Sequence, residues 1–148
     1  MKKHLSAAGL LLCLICVFAS GCQSGGASYR TVADIDLTRL SGTMVYAEVY
    51  HMMTSPLYYM GRTVKARGDY NVLYDDETGR FYHYIVIRDA TGCCPQGLEF
   101  IWSGDRVYPD DYPKINTTIE FVGVFGSYEE SGDTFYYLAV DDLVLGNL

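Results

Sequence analysis

The sequence predicts an all-β domain of five main strands behind an N-terminal export signal. Two observations carry the fold class. From residue 44 onward the chain is built of runs rich in Val, Ile, Tyr and Phe, residue types that fit a pleated, half-buried surface. Gly, Asp and Asn cut these runs at intervals of roughly ten to fifteen residues, the spacing of short antiparallel strands. With 148 residues, 49% of them hydrophobic and 20% charged, the chain is the size of one domain and has enough apolar surface for a core.

The leader comes first in the chain. Lys2 and Lys3 form a positive start, and Leu5 to Phe18 form an apolar stretch too short to span a bilayer comfortably, the pattern of a secretory signal. The next residues, Ala19-Ser20-Gly21-Cys22, resemble the lipobox of bacterial lipoproteins. That resemblance implies cleavage after residue 21 and acyl chains, palmitate among them, on Cys22. Two or three acyl chains give stable membrane anchoring. The expected organisation is thus a lipoprotein signal peptide over 1–21, a lipidated Cys, tether and lead-in over 22–43, and a β domain over 44–148. Gln23 to Ser28, rich in Gly and Ser, reads as the flexible tether.

Each strand has its own signal. Met44 to Met53 reads as a first strand, with Val45, Ala47 and Val49 on one face, and Ser55-Pro56 ends it. Thr63 to Tyr74 reads as a second strand, bent at Gly68, and Asp75 to Gly79 as the turn after it. Phe81 to Asp89 reads as a central third strand, with Phe81, His83, Ile85 and Ile87 sharing one face and Tyr82, Tyr84, Val86 and Arg88 the other. Leu98 to Trp102 is a short strand, and Asp105 to Lys114, with Pro109 and Pro113, a loop. Thr117 to Phe125 and Thr134 to Val140 close the domain as a hairpin through the polar stretch from Gly126 to Asp133. Five main strands, a bent second strand and an insertion between the third and fourth resemble an OB-fold, a small five-stranded Greek-key barrel. A small β-sandwich is the alternative.

Charge narrows the partners. Removing residues 1–21 takes away Lys2 and Lys3 and no acids, so the formal charge moves from −7 to −9. Such a surface repels phosphate backbones, and nucleic acid is not an expected partner. No G-x-S-x-G, H-E-x-x-H or phosphate-cradling glycine loop is present, so a non-enzymatic role is expected.

Of the five cysteines, Cys13 and Cys16 leave with the signal and Cys22 carries lipid. Cys93 and Cys94 remain, within Arg88-Asp89-Ala90-Thr91-Gly92-Cys93-Cys94-Pro95-Gln96-Gly97-Leu98-Glu99-Phe100. This stretch, with Tyr108 to Pro113 and the closing hairpin, is similar to poorly characterised bacterial OB-fold-like lipoproteins and membrane proteins with vicinal cysteines. The resemblance spans roughly residues 44 to 145 and implies an association with metal supply, zinc in particular.

Adjacent α-carbons lie about 3.8 Å apart, below the usual disulfide range of about 4.4–6.8 Å, so a vicinal bridge is strained and reducible. In an oxidising compartment the pair is bridged, buried as thiols, redox-active or metal-bound. As thiolates Cys93 and Cys94 are soft ligands for zinc or copper, with His83, His51, Asp89 and Glu99 as candidates to complete a site. Separately, Trp102 and Tyr108 are candidates to line an aromatic face for a glycan, since OB-folds bind oligosaccharides by such faces. The reading is a lipid-anchored extracytoplasmic binding or interaction module in the bacterial cell envelope. A soft metal such as zinc, a glycan and an envelope protein are its candidate partners, and thiol–disulfide redox chemistry at Cys93 and Cys94 is the alternative. A metal site predicts near-stoichiometric zinc or copper in protein purified without chelator, lost when both cysteines are replaced. A vicinal disulfide predicts neither metal nor free thiol in the same preparation.

Overall fold

The structure is a computed structural model that describes residues 32–88 and 95–146. Cys22, Asp89, Cys93 and Cys94 lie outside the described residues. The domain begins with a two-residue strand β1 (Ile35–Asp36), a 3-10 turn and helix α1 (Gly42–Thr54). A second 3-10 turn leads to β2 (Thr63–Asp75), β3 (Arg80–Ile87), β4 (Gln96–Trp102), β5 (Thr118–Glu130) and β6 (Asp133–Leu145).

All six strands belong to one sheet in the order β1-β2-β3-β4-β6-β5, and β2 also pairs with β5. The hydrogen-bonding circuit that leaves β2 through β3 therefore returns to it through β5. Every pairing in the circuit is antiparallel except β4 with β6, which is parallel.

β2 serves two neighbours because it bends. Its first half, Thr63 to Asp69, pairs with β5, and its second half, Asp69 to Asp75, pairs with β3. The changeover sits beside Gly68, where a Cβ would stand 2.8 Å from the Val86 carbonyl oxygen and 3.1 Å from Ile85 Cβ. Glycine is required there because two backbones approach closely.

The inner face follows the period-two alternation of strands. Val64, Ala66 and Tyr70 of β2, Ile85 and Ile87 of β3, Leu98 and Phe100 of β4, Ile119, Phe121 and Phe125 of β5, and Leu138 and Val140 of β6 form one buried cluster. Val49 and Met52 of α1 and Leu37 of the first 3-10 turn join it. Residues 32–43 are thus packed on the domain at Leu37. Asp34 clips β1 to the start of β2, accepting from the Thr63 amide and hydroxyl at 2.8 Å each while its own amide donates to Thr63 Oγ1 at 2.9 Å.

Three expectations are corrected. Residues 44–53 form a helix, not a strand. Val45 and Val49 satisfy both an alternating and a helical pattern, and Met52 decides for the helix, because Val49 and Met52 lie three apart on one buried stripe. The strand expected at Leu98 to Trp102 is present as Gln96–Trp102, but what was expected to be an insertion outside the five main strands is part of the circuit, paired on both sides by β3 and β6. In the closing hairpin the ladder runs on to Glu130 paired with Asp133. The turn shrinks to Ser131 and Gly132, both left-handed at φ 54° and 92°, as a two-residue hairpin turn requires.

The bend at Gly68 yields the first prediction from the fold. Gly68→Ala forces a methyl against the Val86 carbonyl and is expected to destabilise the domain by about 1–3 kcal/mol, read as a lowered urea midpoint with unchanged slope.

Candidate functional site

The two described histidines, His51 and His83, are each held by a tyrosine. His51, near the end of α1, places Nδ1 2.6 Å from the Tyr59 hydroxyl, which donates to Glu48 Oε1 at 2.8 Å. Burial, reinforced by Glu48, pushes the Tyr59 hydroxyl up to about 12. His83 Nδ1 is 2.8 Å from the Tyr70 hydroxyl, and its ring stacks on Tyr112 with centroids 3.9 Å apart. Burial drives His83 down to about 4, so it is a neutral, packed imidazole at pH 7.

Register separates two of the expected metal ligands. Ile85 pairs with Leu98 on the inner face, which His83 shares, whereas Glu99 pairs with Tyr84 on the outer face. Among the described residues no group of three or more His, Cys, Asp or Glu side chains is placed to hold a metal ion.

Trp102 and Tyr108 do come together, through Tyr112. The Trp102 ring meets Tyr112 edge-on at 5.5 Å, and Tyr108 meets it at 5.9 Å. The pile continues from Tyr108 to Phe81 at 4.7 Å and from Phe81 to Tyr74 at 4.8 Å. Trp102 Nε1 donates to the Asp141 carbonyl, and the Arg106 guanidinium lies 4.4 Å above the indole. The loop after β4 thus lays Tyr108 and Tyr112 over His83, so these rings are spent largely on each other. Phe81 and Tyr74 at the rim of the pile stay about half exposed.

The outer face holds a different arrangement. Between the hairpin joining β2 to β3 and the hairpin joining β5 to β6 lies a trough of about 260 Å³, walled by Leu73, Tyr82, Tyr84, Tyr128 and Phe135. Asp75, Glu99 and Glu130 supply its acids. Alternation puts them there: Tyr82 and Tyr84 are the outward residues of β3, Glu99 is the outward partner of Tyr84, and Tyr137 of β6 pairs with Glu99 from the other side. Gly97 leaves room for the Tyr84 ring, which lies 3.4 Å from where a Cβ would stand.

Two carboxylates in the trough are treated differently. Glu130 accepts from Tyr82 at 2.6 Å and is paired with Arg80, whose guanidinium also sits 5.4 Å from the Tyr82 ring centroid and 6.0 Å from that of Tyr128. Glu99 accepts from the Tyr128 hydroxyl at 3.1 Å on each oxygen, and among the described residues it has no salt bridge. Partial burial raises the Glu99 carboxyl above its ordinary value, and burial with Glu99 beside it raises Tyr128. A second cavity, of about 320 Å³, lies beside the β2 bend under Leu37 and Val45, with Arg67 and Arg88 at its rim and no aromatic wall.

Sequence reasoning placed Tyr82 and Tyr84 together on one strand face but missed the trough, since its other wall comes from a hairpin some 45 residues away in sequence. The alternating tyrosines of β3 beside an acid at Glu99 were its one local signal.

No family model matches the chain, and no curated protein is similar to it. Among solved structures it is similar to the dimeric N-terminal domain of PriB protein from Thermoanaerobacter tencongensis, at 14% identity, over 58% of this chain and 97% of that one, with a TM-score of 0.40. The class that fold and site define is a mainly β domain: a five-strand circuit with one parallel pairing and a trough between two hairpins. Among the described residues no helix is long and apolar enough to cross a membrane.

The depressed His83 predicts a pH effect of known sign. A neutral imidazole in the fold that charges near its ordinary 6.5 once unfolded gives stability that is full above that value and falls as pH drops toward about 4. The His83 ring resonances are expected to stay neutral down to pH 5 in an NMR titration, and the acid loss of stability is expected to shrink in His83→Gln.

Proposed function

We propose that the chain is a lipid-anchored binding module of the bacterial envelope, an OB-type barrel that takes its ligand in the outer trough between its two long hairpins. The observation that carries the reading is the trough itself. Four aromatic rings and a carboxylate that has no salt bridge among the described residues line it on rigid strands, where side chains with no binding role are usually mixed and scattered. Strands hold these groups with little freedom to lose on binding, which lowers the entropic cost of capture.

The signal-like leader and the Ala19-Ser20-Gly21-Cys22 sequence support the anchor. The trough acids Asp75, Glu99 and Glu130 disfavour a phosphate backbone, which calls for a basic groove. His51 and His83 are engaged by Tyr59 and Tyr70, which supports a binding role built on the tyrosines over one built on the imidazoles.

Two experiments test the proposal. Cys22→Ser is expected to abolish incorporation of labelled palmitate and to release the protein from the membrane fraction; retained labelling removes the anchor. For the trough, short oligosaccharides, peptides and single-stranded DNA are titrated against the full chain in detergent and followed by NMR. Shifts at Tyr82, Tyr84 and Tyr128 with a ligand other than DNA, abolished in Gly97→Val, are the expected outcome, with stability changed by less than about 1 kcal/mol. Binding of DNA alone, or shifts confined to another surface, overturns the assignment.

A further inference from the structure

We infer that the trough recognises an organic cation on an apolar stem, a primary ammonium or guanidinium group, with Glu99 as its counter-charge and the rings of Tyr84, Tyr128 and Phe135 as its walls. The inference rests on the trough being the ligand site and names the chemistry of what enters it.

The structure contains a worked example of the interaction. Arg80, half exposed at the start of β3, lays its guanidinium against Tyr82 and Tyr128 and pairs with Glu130. The chain's own cation therefore occupies one end of the trough, held by an aromatic face and a carboxylate together. Cations gain from ring faces, and the gain grows as water is excluded. At the other end the same elements recur without a salt-bridged cation among the described residues, and Arg80 acts on Glu99 only from beyond salt-bridge distance. Glu99 lies between Tyr84 and Tyr137 on its neighbouring strands, with the Tyr128 hydroxyl donating to both of its oxygens. Tyr128 thus serves both ends, ring toward Arg80 and hydroxyl toward Glu99.

A hydroxyl satisfies lone pairs but leaves the charge in place. Partial burial disfavours the charged carboxylate and raises its proton affinity, and the Tyr128 hydroxyl and the charge of Arg80, which makes no salt bridge to it, offset only part of that. A cation entering beside it removes that cost and adds attraction in a site with restricted water. Apolar Phe135 and Leu73, 40% and 56% exposed, supply a surface for the methylenes of a lysine-like or arginine-like stem. The charge of the domain, −7 for the whole chain, attracts such a ligand from a distance.

The cation has two sources, a basic side chain of a polypeptide or a free polyamine. Hexalysine and spermidine serve as the probes, titrated into the full chain in detergent with Tyr84 and Tyr128 resonances as the readout. Wild type is expected to bind, and Glu99→Gln, which keeps the shape and an acceptor for Tyr128, is expected to weaken binding by on the order of tenfold or more. Glu129→Gln, which removes an exposed carboxylate of the same hairpin bonded to Thr134, is expected to leave binding unchanged. Binding that depends on Glu99 for both probes supports the inference with either source, and such binding for hexalysine alone assigns a polypeptide. No binding of either probe overturns the inference, as does an equal loss in the two variants, which is diffuse attraction to an acidic surface. If a neutral oligosaccharide then shifts Tyr84 and Tyr128, the cation inference falls and the trough remains the ligand site; if none of these probes does, both fall.

Discussion

The bend of β2 at Gly68 is the constraint on which the rest depends. A straight strand has one neighbour on each side along its length, whereas β2 hands its hydrogen bonds from β5 to β3 at Asp69. That handover returns the circuit to its origin and leaves Asp69 paired with both Val86 and Thr118. The side chain of Asp69 reinforces the junction, accepting from the Thr118 hydroxyl at 3.0 Å and lying 3.6 Å from Arg88. Once the strand turns there, its far end projects beyond the core, and the hairpin to β3 becomes one wall of the trough.

Alternation then divides the aromatic residues between two tasks. Inward positions bury Tyr70, Phe100, Phe121 and Phe125, and the run of rings goes on outward through His83, Phe81 and the loop residues Tyr108 and Tyr112. Outward positions carry Tyr82, Tyr84, Tyr128 and Tyr137 next to acids. The same residue type is packing on one side of the sheet and a hydrogen-bonding surface on the other. One residue of register slip would exchange the two sets, so the ladder also sets what the surface offers.

Much of the fold was legible because strand signals are local. Thr63 to Tyr74 and Phe81 to Asp89 are close to the observed β2 and β3, and the bend expected from the permissive backbone of Gly68 is there, with the close approach of Val86 as the reason the sequence did not show. The first element was misread because Val45 and Val49 fit two periodicities and Tyr46 and Tyr50 favour strands when taken alone. Tertiary packing of Val49 and Met52 against the sheet decided it. Of the residues singled out in advance, Glu99 lies in the trough, while Trp102, Tyr108 and His83 gather in the aromatic pile. The trough was hidden because its walls meet only across the circuit, and no window of sequence contains both Tyr82 and Glu130.

Under the lipid anchor proposed above, the clip between Asp34 and Thr63 has a mechanical meaning. Its short hydrogen bonds and the two-residue β1 are the first fixed points that any tension entering ahead of residue 34 encounters. The strand behind them, β2, is the one that pairs with β1, β3 and β5. The clip and the burial of Leu37 take up a pull before it reaches Val64, and they act as strain relief for the junction at Gly68. With such an anchor, a tug would first meet a few replaceable bonds at the edge of the domain, ahead of the β2 junction.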